Sequence, residues 1–92
     1  MQSKHDQVTE VTNALCALVH YKDVKYNSSI IKPIHIFSKS SAEENILSRI
    51  DEKLARFKES DEIRKNDTAD LMGYLVWLCV ERGWVDFSEF YD

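Results

Sequence analysis

The clearest helix of this 92-residue chain is encoded by SAEENILSRIDEKLARF, residues 41 to 57. It opens with Ser41 and Glu44, the spacing of a capping box, in which each side chain accepts a hydrogen bond from a free backbone N–H at the helix start. Behind this box, apolar residues recur at three- and four-residue intervals and form one stripe: Ile46, Leu47, Ile50, Leu54 and Phe57. The pattern predicts an amphipathic helix from Ser41 to about residue 58, with its apolar face packed on other helices.

Two further helices are predicted on either side of this one. Apolar residues at helical spacing indicate a first helix from about residue 6 to 20, with Asp6 as its cap. A third helix starts at a cap formed by Asn66 or Asp67 and stops at Gly83. Since the chain has only two Gly and one Pro, it lacks the turns of a β-sandwich. We therefore expect an all-α fold in which residues 1–92 form one helical domain.

The third helix is apolar on nearly all sides. In LMGYLVWLCV, residues 71–80, almost every position is apolar, so no side of this helix is suited to water. The run is shorter than the ~20 residues that span a bilayer, and a second copy of the chain is the expected cover. The following WVDFSEFYD, residues 84–92, carries aromatic residues at roughly helical spacing and predicts a short C-terminal helix. Its aromatics either close a core or subunit contact or, alternatively, stack on bases.

A long segment separates the first and second helices. Within it, IIKPIHIF, residues 30–37, has enough apolar side chains to anchor an ordered loop, while Pro33 interrupts helical geometry. The preceding YKDVKYNSS, residues 21–29, is then left exposed with ammonium, phenol, amide and hydroxyl groups suited to a phosphate and a base or sugar. The alternative is a solvated connection, because lysines also collect on wet loops.

Composition and charge limit the class of partner. The net charge of −4 argues against general binding to DNA or RNA, which requires a basic surface. Neither a membrane span nor the apolar core of a signal peptide is evident, so a cytoplasmic protein is expected. Cys16 and Cys79 have no metal-ligand spacing and are interpreted as buried thiols.

Two charged motifs lie on the predicted helices. Arg49, Lys53 and Arg56 fall on one broad face of the second helix, where they form either a basic surface or a solvated face with local ion pairs. Asp67 and Asp70 lie three residues apart, and Tyr74 follows four residues later on the same side of the third helix. Such a carboxylate pair can hold Mg²⁺ together with nucleotide phosphates, or can simply favour the positive end of a helix.

Taken in order, KDVKYNSS, IFSKSSAEENILSRIDEKLAR and RKNDTADLMGYLVWLCVERGW resemble the nucleotide modification associated domain 1 family, small helical phage and prophage proteins. The resemblance covers roughly residues 20 to 84. The residues that carry it are Lys22, Asp23, Tyr26, Asn27 and Ser28; Arg49, Asp51, Lys53 and Arg56; and Asp67, Asp70 and Tyr74. Asn27 stands where Gly is common in the family, although Asn accepts left-handed backbone geometry better than most residues.

The resemblance implies a nucleotide ligand in the cytoplasm of a phage-infected bacterium. The expected binding residues surround the phosphates (Lys22, Lys25, Arg49, Lys53, Arg56), stack on the base (Tyr26, Tyr74) or donate hydrogen bonds (Asn27, Ser28). By analogy with phage sponge proteins, such a protein could sequester a host signalling nucleotide, including a cyclic one, as a non-catalytic anti-defence protein without a cofactor.

Two alternatives stay open at this point. The Asp67–Asp70 pair resembles half of the acidic pattern of the all-α nucleoside triphosphate pyrophosphohydrolases. This would make the chain a Mg-dependent enzyme of that kind, or an accessory enzyme of nucleotide modification, with those two residues as metal ligands. The ExxE pair of those enzymes is missing, because Ile46 follows Glu43 by three residues and Leu47 follows Glu44. The other alternative is a phage protein that grips a host protein by its apolar third helix.

Overall fold

The computed structural model describes residues 2–29 and 40–92, and all regular structure in these ranges is helical. Helix α1 spans Lys4–Lys25, α2 spans Ala42–Glu59, α3 spans Lys65–Arg82, and a 3-10 turn covers Ser88–Phe90. The predicted all-α class is therefore confirmed, with the short C-terminal element reduced to one 3-10 turn. The predicted ordered loop over residues 30–37 lies outside the described residues.

Helix α1 is longer at both ends than the sequence pattern indicates. Its cap is Ser3, whose hydroxyl oxygen accepts a hydrogen bond from the Asp6 amide at 3.0 Å, while the Asp6 carboxylate accepts one from the Ser3 amide at 3.2 Å. Asp6 thus forms the second half of a capping box inside the helix, and the prediction that it is the cap was wrong by three residues. At the other end, Tyr21–Lys25 contain no helix breaker and continue α1.

The start of α2 and the stop of α3 follow local sequence signals, whereas the start of α3 does not. The Ser41 hydroxyl accepts a hydrogen bond from the Glu44 amide at 3.1 Å, which is one of the two hydrogen bonds of the predicted capping box. Helix α3 stops at Gly83, which takes the left-handed conformation with φ of 71°. Its start differs from the prediction, because Arg64 occupies the cap position without a side-chain hydrogen bond. Asp67 lies inside the first turn, where its carboxylate binds cations of α2 instead.

The core of the described chain lies between α2 and α3. Ile46 is completely buried and Ile50 nearly so, and both belong to the apolar stripe of α2. Helix α1 has no buried residue and touches α3 through a smaller contact, in which Val19 lies against Gly73. Cys16 is consequently exposed, so the prediction that it is a buried thiol was wrong, and Cys79 is partly exposed. No helix of the described ranges is long and apolar enough to cross a bilayer.

Candidate functional site

The stretch expected to be an exposed loop is in fact the last turn of α1 followed by a tight stop. The Asn27 amide donates to the Val24 carbonyl at 3.2 Å and the Ser28 amide donates to the Asp23 carbonyl at 2.8 Å. These two bonds form a Schellman motif, which satisfies the last carbonyl groups of the helix. It requires left-handed geometry, and Asn27 and Ser28 have φ values of 53° and 59°. The motif holds the end of α1 in a fixed direction next to α3.

Asp23 lies under this turn. Its Oδ2 accepts a hydrogen bond from the Ser28 hydroxyl at 3.2 Å, so Ser28 positions the carboxylate. The other oxygen, Oδ1, is buried and has no hydrogen-bond partner among the described residues. An acceptor in this condition is uncommon, since most buried polar atoms of proteins are paired.

A cleft of about 320 Å³ lies between the end of α1 and the middle of α3, and α2 contributes Arg49 to its lining. Its lining combines apolar, aromatic and charged side chains: Leu18, Val19, Lys22, Asp23, Tyr26, Ser29, Arg49, Ala69, Asp70, Gly73, Tyr74 and Trp77. This volume is at the lower end of the range that small-molecule sites occupy. The cleft therefore has room for a compact ligand such as a single nucleoside with a phosphate.

The two ends of this lining differ in chemistry. Leu18, Val19 and Trp77 provide an apolar part, against which a planar ring can pack. Lys22, Asp70 and Arg49 provide a charged part, and the phenols of Tyr26 and Tyr74 also line the cleft. A ligand that is planar at one end and charged at the other matches this distribution.

A chain of ion pairs joins the three helices beside the cleft. The Lys22 Nζ lies 2.6 Å from the Asp70 Oδ1, and the Lys53 Nζ lies 3.1 Å from the Asp70 Oδ2. The Lys53 Nζ also lies 3.3 Å from the Asp67 Oδ1, which Arg56 approaches at 3.5 Å. Asp67 is 6% exposed and Lys53 is largely buried, so water and salt weaken the Lys53–Asp67 ion pair less than they weaken an exposed pair.

The ion pairs shift two pKa values in opposite directions. The hydrogen bond to Asp70 raises the pKa of Lys22, although partial burial of the ammonium opposes this rise. For Asp70, partial burial favours the neutral acid, but the hydrogen bonds from Lys22 and Lys53 outweigh it and hold the pKa of the carboxyl below its ordinary value. Both groups are consequently charged at neutral pH.

Stability is expected to decrease in acid because of Asp70. A carboxyl whose pKa is lowered by folding contributes stability above its unfolded pKa of about 3.9, and this contribution is lost as the pH falls through the folded pKa. Asp70→Asn should therefore flatten the dependence of the free energy of unfolding on pH between about pH 5 and pH 2. Urea unfolding across this range measures the slope. Asp61→Asn, at an exposed site on the α2–α3 turn, is the control, and equal slopes in both variants would contradict the assignment.

The structure brings four of the nine predicted ligand-binding residues into the cleft: Lys22, Tyr26, Arg49 and Tyr74. Lys53 and Arg56 do not line the cleft; Lys53 binds Asp67 and Asp70, and Arg56 binds Asp67. The Lys25 ammonium lies 5.9 Å and 5.6 Å from the ring centres of Tyr21 and Tyr26, which allows cation–π contacts. Asn27 and Ser28 form the turn that ends α1.

Sequence reasoning missed the contributions of Trp77 and Asp23 to the cleft. Trp77 follows Tyr74 by three residues and Gly73 by four, so the helical spacing alone could have placed these residues on one side of α3. Asp23 was matched to the family motif but was not assigned a contact with the ligand. The charge of its neighbour Lys22 indicates a phosphate ligand directly from the sequence, whereas the burial of a carboxylate has no local sequence signal.

The carboxylates predicted as metal ligands in the enzyme alternative lie side by side on α3. Asp67 and Asp70 both accept ion pairs from Lys53, so a divalent cation between them would compete with a buried ammonium group. In residues 2–29 and 40–92, no group of three or more His, Cys, Asp or Glu side chains is close enough to share a metal ion.

Comparisons of this chain with protein-family models, with curated proteins and with solved structures found no match, so its functional assignment depends on the cleft and its residues.

Proposed function

We propose that the protein binds a nucleotide in the cleft and does not transform it. The observation that carries this proposal is the meeting of aromatic rings and cationic groups in one cleft of about 320 Å³. Nucleotides are planar and apolar on their base faces and strongly anionic at their phosphates. Proteins hold them by ring stacking at one end and by charge-assisted hydrogen bonds at the other.

The base is proposed to lie at the apolar end. There, Trp77 provides the largest ring and Leu18 and Val19 provide aliphatic contact. Tyr26 and Tyr74 add two phenols that combine a ring face with a hydrogen-bonding hydroxyl group. Stacking of this kind accepts any base, so specificity would come from hydrogen bonds of the phenol hydroxyl groups.

Arg49 is the proposed phosphate ligand. It lines the cleft from α2, and its ion pair with Glu52 is long, at 3.5 Å, with both side chains about half exposed. Exposed pairs of this type contribute little, so the guanidinium loses little when it turns to a phosphate. Lys22, by contrast, already binds Asp70 at 2.6 Å and would share its charge between that carboxylate and the ligand.

The ion pairs of Asp67 and Asp70 favour binding over hydrolysis in this proposal. A Mg²⁺ ion that activates water needs carboxylate oxygens free to coordinate it. Here Lys53 and Arg56 engage Asp67, while Lys22 and Lys53 engage Asp70. Mg-dependent hydrolysis is the alternative outcome of the experiments below.

In the phage context implied by the sequence resemblance, the proposed role is sequestration of a host signalling nucleotide in the bacterial cytoplasm. The chain is also proposed to work as a homo-oligomer. Support comes from the amount of apolar surface it exposes, which includes Val76 and Val80 of α3 and Trp84 beyond it.

Arg49→Ala is expected to weaken nucleotide binding by about tenfold or more, since a hydrogen bond between charged groups contributes roughly 1.5–3 kcal/mol. Isothermal titration with the nucleotide retained by the wild-type protein measures the change. Arg64→Ala is the matched control, because Arg64 is also an exposed arginine with a weak ion pair, 4.0 Å from Glu62, and lies outside the cleft. Equal affinities of the Arg49→Ala and Arg64→Ala variants would exclude Arg49 as a phosphate ligand.

The ligand and its fate can be read in one experiment. The protein is incubated with Mg²⁺ and a mixture of nucleoside mono-, di- and triphosphates and cyclic di- and trinucleotides, and the mixture is chromatographed before and after heat denaturation. A nucleotide that is depleted and then returns intact supports sequestration. Its return as a monophosphate or another product would favour the enzyme alternative, with Asp67 and Asp70 as metal ligands. No depletion and no conversion would overturn the proposed function.

A further inference from the structure

Two apolar stripes meet where α1 contacts α3. On α1, residues Val8, Val11, Leu15 and Val19 recur at three- and four-residue spacing and therefore share one side of the helix. On α3, Gly73, Val76 and Val80 recur in the same way. The stripes touch at Val19 and Gly73, where a Cβ atom on the glycine would lie 3.6 Å from the valine Cγ2. The missing side chain at Gly73 lets the two helices approach closely.

The stripes continue past this contact without covering each other. Lys22 lies three residues after Val19, and its partner Asp70 lies three residues before Gly73. The two helices are therefore antiparallel. The stripes should then run side by side from Val19 and Gly73 towards Val8 and Val80. Yet Val8, Val11, Val76, Val80 and Trp84 are all between 36% and 60% exposed. We call these five residues the apolar wedge. Their exposure indicates that the two helices diverge at this end, although the Arg82 guanidinium lies 5.4 Å from the ring centre of Trp84.

The chain as a whole exposes more surface than a compact monomer of its mass. The chain exposes 7721 Å², whereas a folded monomer of this mass is expected to expose about 5,500 Å². This excess, roughly 2,200 Å² over the whole chain, is more than the ~800 Å² that each partner contributes to a standard interface, and the apolar wedge is one part of it.

We propose that a second copy of this chain docks on the apolar wedge, so that the N-terminal half of each α1 packs on the C-terminal half of the other copy's α3. The same pair of surfaces already packs within one chain at Val19 and Gly73. A second copy presents both stripes, and each stripe of one copy thereby finds its complement on the other. Such a contact is isologous and closes with two-fold symmetry, which produces a dimer and not a fibre.

This arrangement also bears on the cleft. Leu18 and Trp77 line the cleft at the end where the two stripes begin to separate, one helical turn from Leu15 and Val80. A second copy in the wedge would close that end of the cleft and exclude water from the proposed base site. This inference rests on the homo-oligomer that the proposed function includes. Its experiments measure subunit contact in the absence of nucleotide, so the dimer and nucleotide binding can each fail without the other.

The test begins with sedimentation equilibrium of the wild-type chain from micromolar to millimolar concentration. The expected mass at the upper end is twice that of one chain or a higher even multiple. Val80→Glu and Val11→Lys are each expected to reduce it to a single chain while the circular dichroism signal of the helices is retained. Val85→Glu is the matched control, because Val85 is also exposed but lies outside the wedge, and it should associate like the wild type. A wild-type monomer throughout, or dimers in both wedge variants, would overturn the inference.

Two further measurements distinguish a lost subunit contact from a misfolded variant. Mixing Val80→Glu with Val11→Lys should restore the dimer, because one α1–α3 contact is then native and the other joins opposite charges; two monomers in the mixture would count against the inference. In the unmodified chain, amide hydrogen exchange should slow with concentration at residues 8–15 and 76–84. Protection confined to other segments would assign the contact to another surface and overturn the inference.

Discussion

Ile46→Ala is expected to lower the free energy of unfolding by about 3 kcal/mol, the middle of the range for large apolar residues truncated in a core. Ile46 is completely buried, so the change removes methyl and methylene groups from the contact between α2 and α3 and leaves a cavity. Few other described residues are buried, and the small core has little capacity to compensate. A loss of this size is a large fraction of the 5–15 kcal/mol that typically stabilises a domain.

The neighbouring residue provides the control for this measurement. Leu47 is on the same helix, has the same number of side-chain atoms and is 40% exposed. Leu47→Ala should therefore remove less buried apolar surface and create no closed cavity. It is expected to lower the free energy of unfolding by about 1 kcal/mol or less. Urea unfolding followed by circular dichroism compares the two. Equal costs for the two variants would show that Ile46 is not at the centre of the core.

Asp67→Ala is expected to cost about 3 kcal/mol, because it leaves buried positive charge with fewer partners. The Asp67 carboxylate accepts contacts from Lys53 at 3.3 Å and Arg56 at 3.5 Å, and it is one of the most buried charged groups described. After its removal, the Lys53 ammonium keeps only Asp70 as a described partner. Urea unfolding at neutral pH measures the loss.

Two comparisons separate this effect from a general loss of charge. Glu62→Ala removes an exposed carboxylate 4.0 Å from Arg64 and should change stability by less than about 0.5 kcal/mol. The double variant Lys53→Met and Asp67→Leu should recover most of the loss, since apolar residues of similar volume often replace a buried ion pair without cost. If the double variant is as unstable as Asp67→Ala, loss of packing and not unpaired charge is the cause.

The parts of the fold that were predictable depend on neighbours in sequence. The start of α2 followed from Ser41 and Glu44, and the stop of α3 followed from Gly83, because a cap is formed within one helical turn. The end of α1 was not predictable in this way. Lys22 and Asp23 look like loop residues by polarity, but they lie in the helix because the stop signal is Asn27, which needs left-handed geometry and is weaker than glycine as a sequence signal.

The candidate site was predictable only in part, for a similar reason. Arg49 and Tyr74 were identified by residue type, and the cleft contains both. The partners of Lys53 were not identified, since Asp67 is 14 residues away and the contact depends on how α2 and α3 cross. Helical spacing places side chains on a face, but the crossing of two helices selects which faces meet. A basic face of α2 therefore became, in the structure, one half of a chain of ion pairs.

Helix α1 is attached to the molecule by fewer contacts than those that join α2 and α3. Helices α2 and α3 share the core, whereas α1 depends on the contact of Val19 with Gly73 and on the pair of Lys22 and Asp70, whose lysine is about half exposed. Regions with few buried contacts open at lower free energy than the core. Among the contacts that the structure describes within one chain, those of α1 are the weakest, so we expect α1 to detach first in a partial opening of the monomer, and higher ionic strength, which screens the lysine, to promote that step. Because α1 forms one wall of the cleft, a bound ligand would contact both α1 and the α2–α3 core and would raise the free energy needed to detach α1.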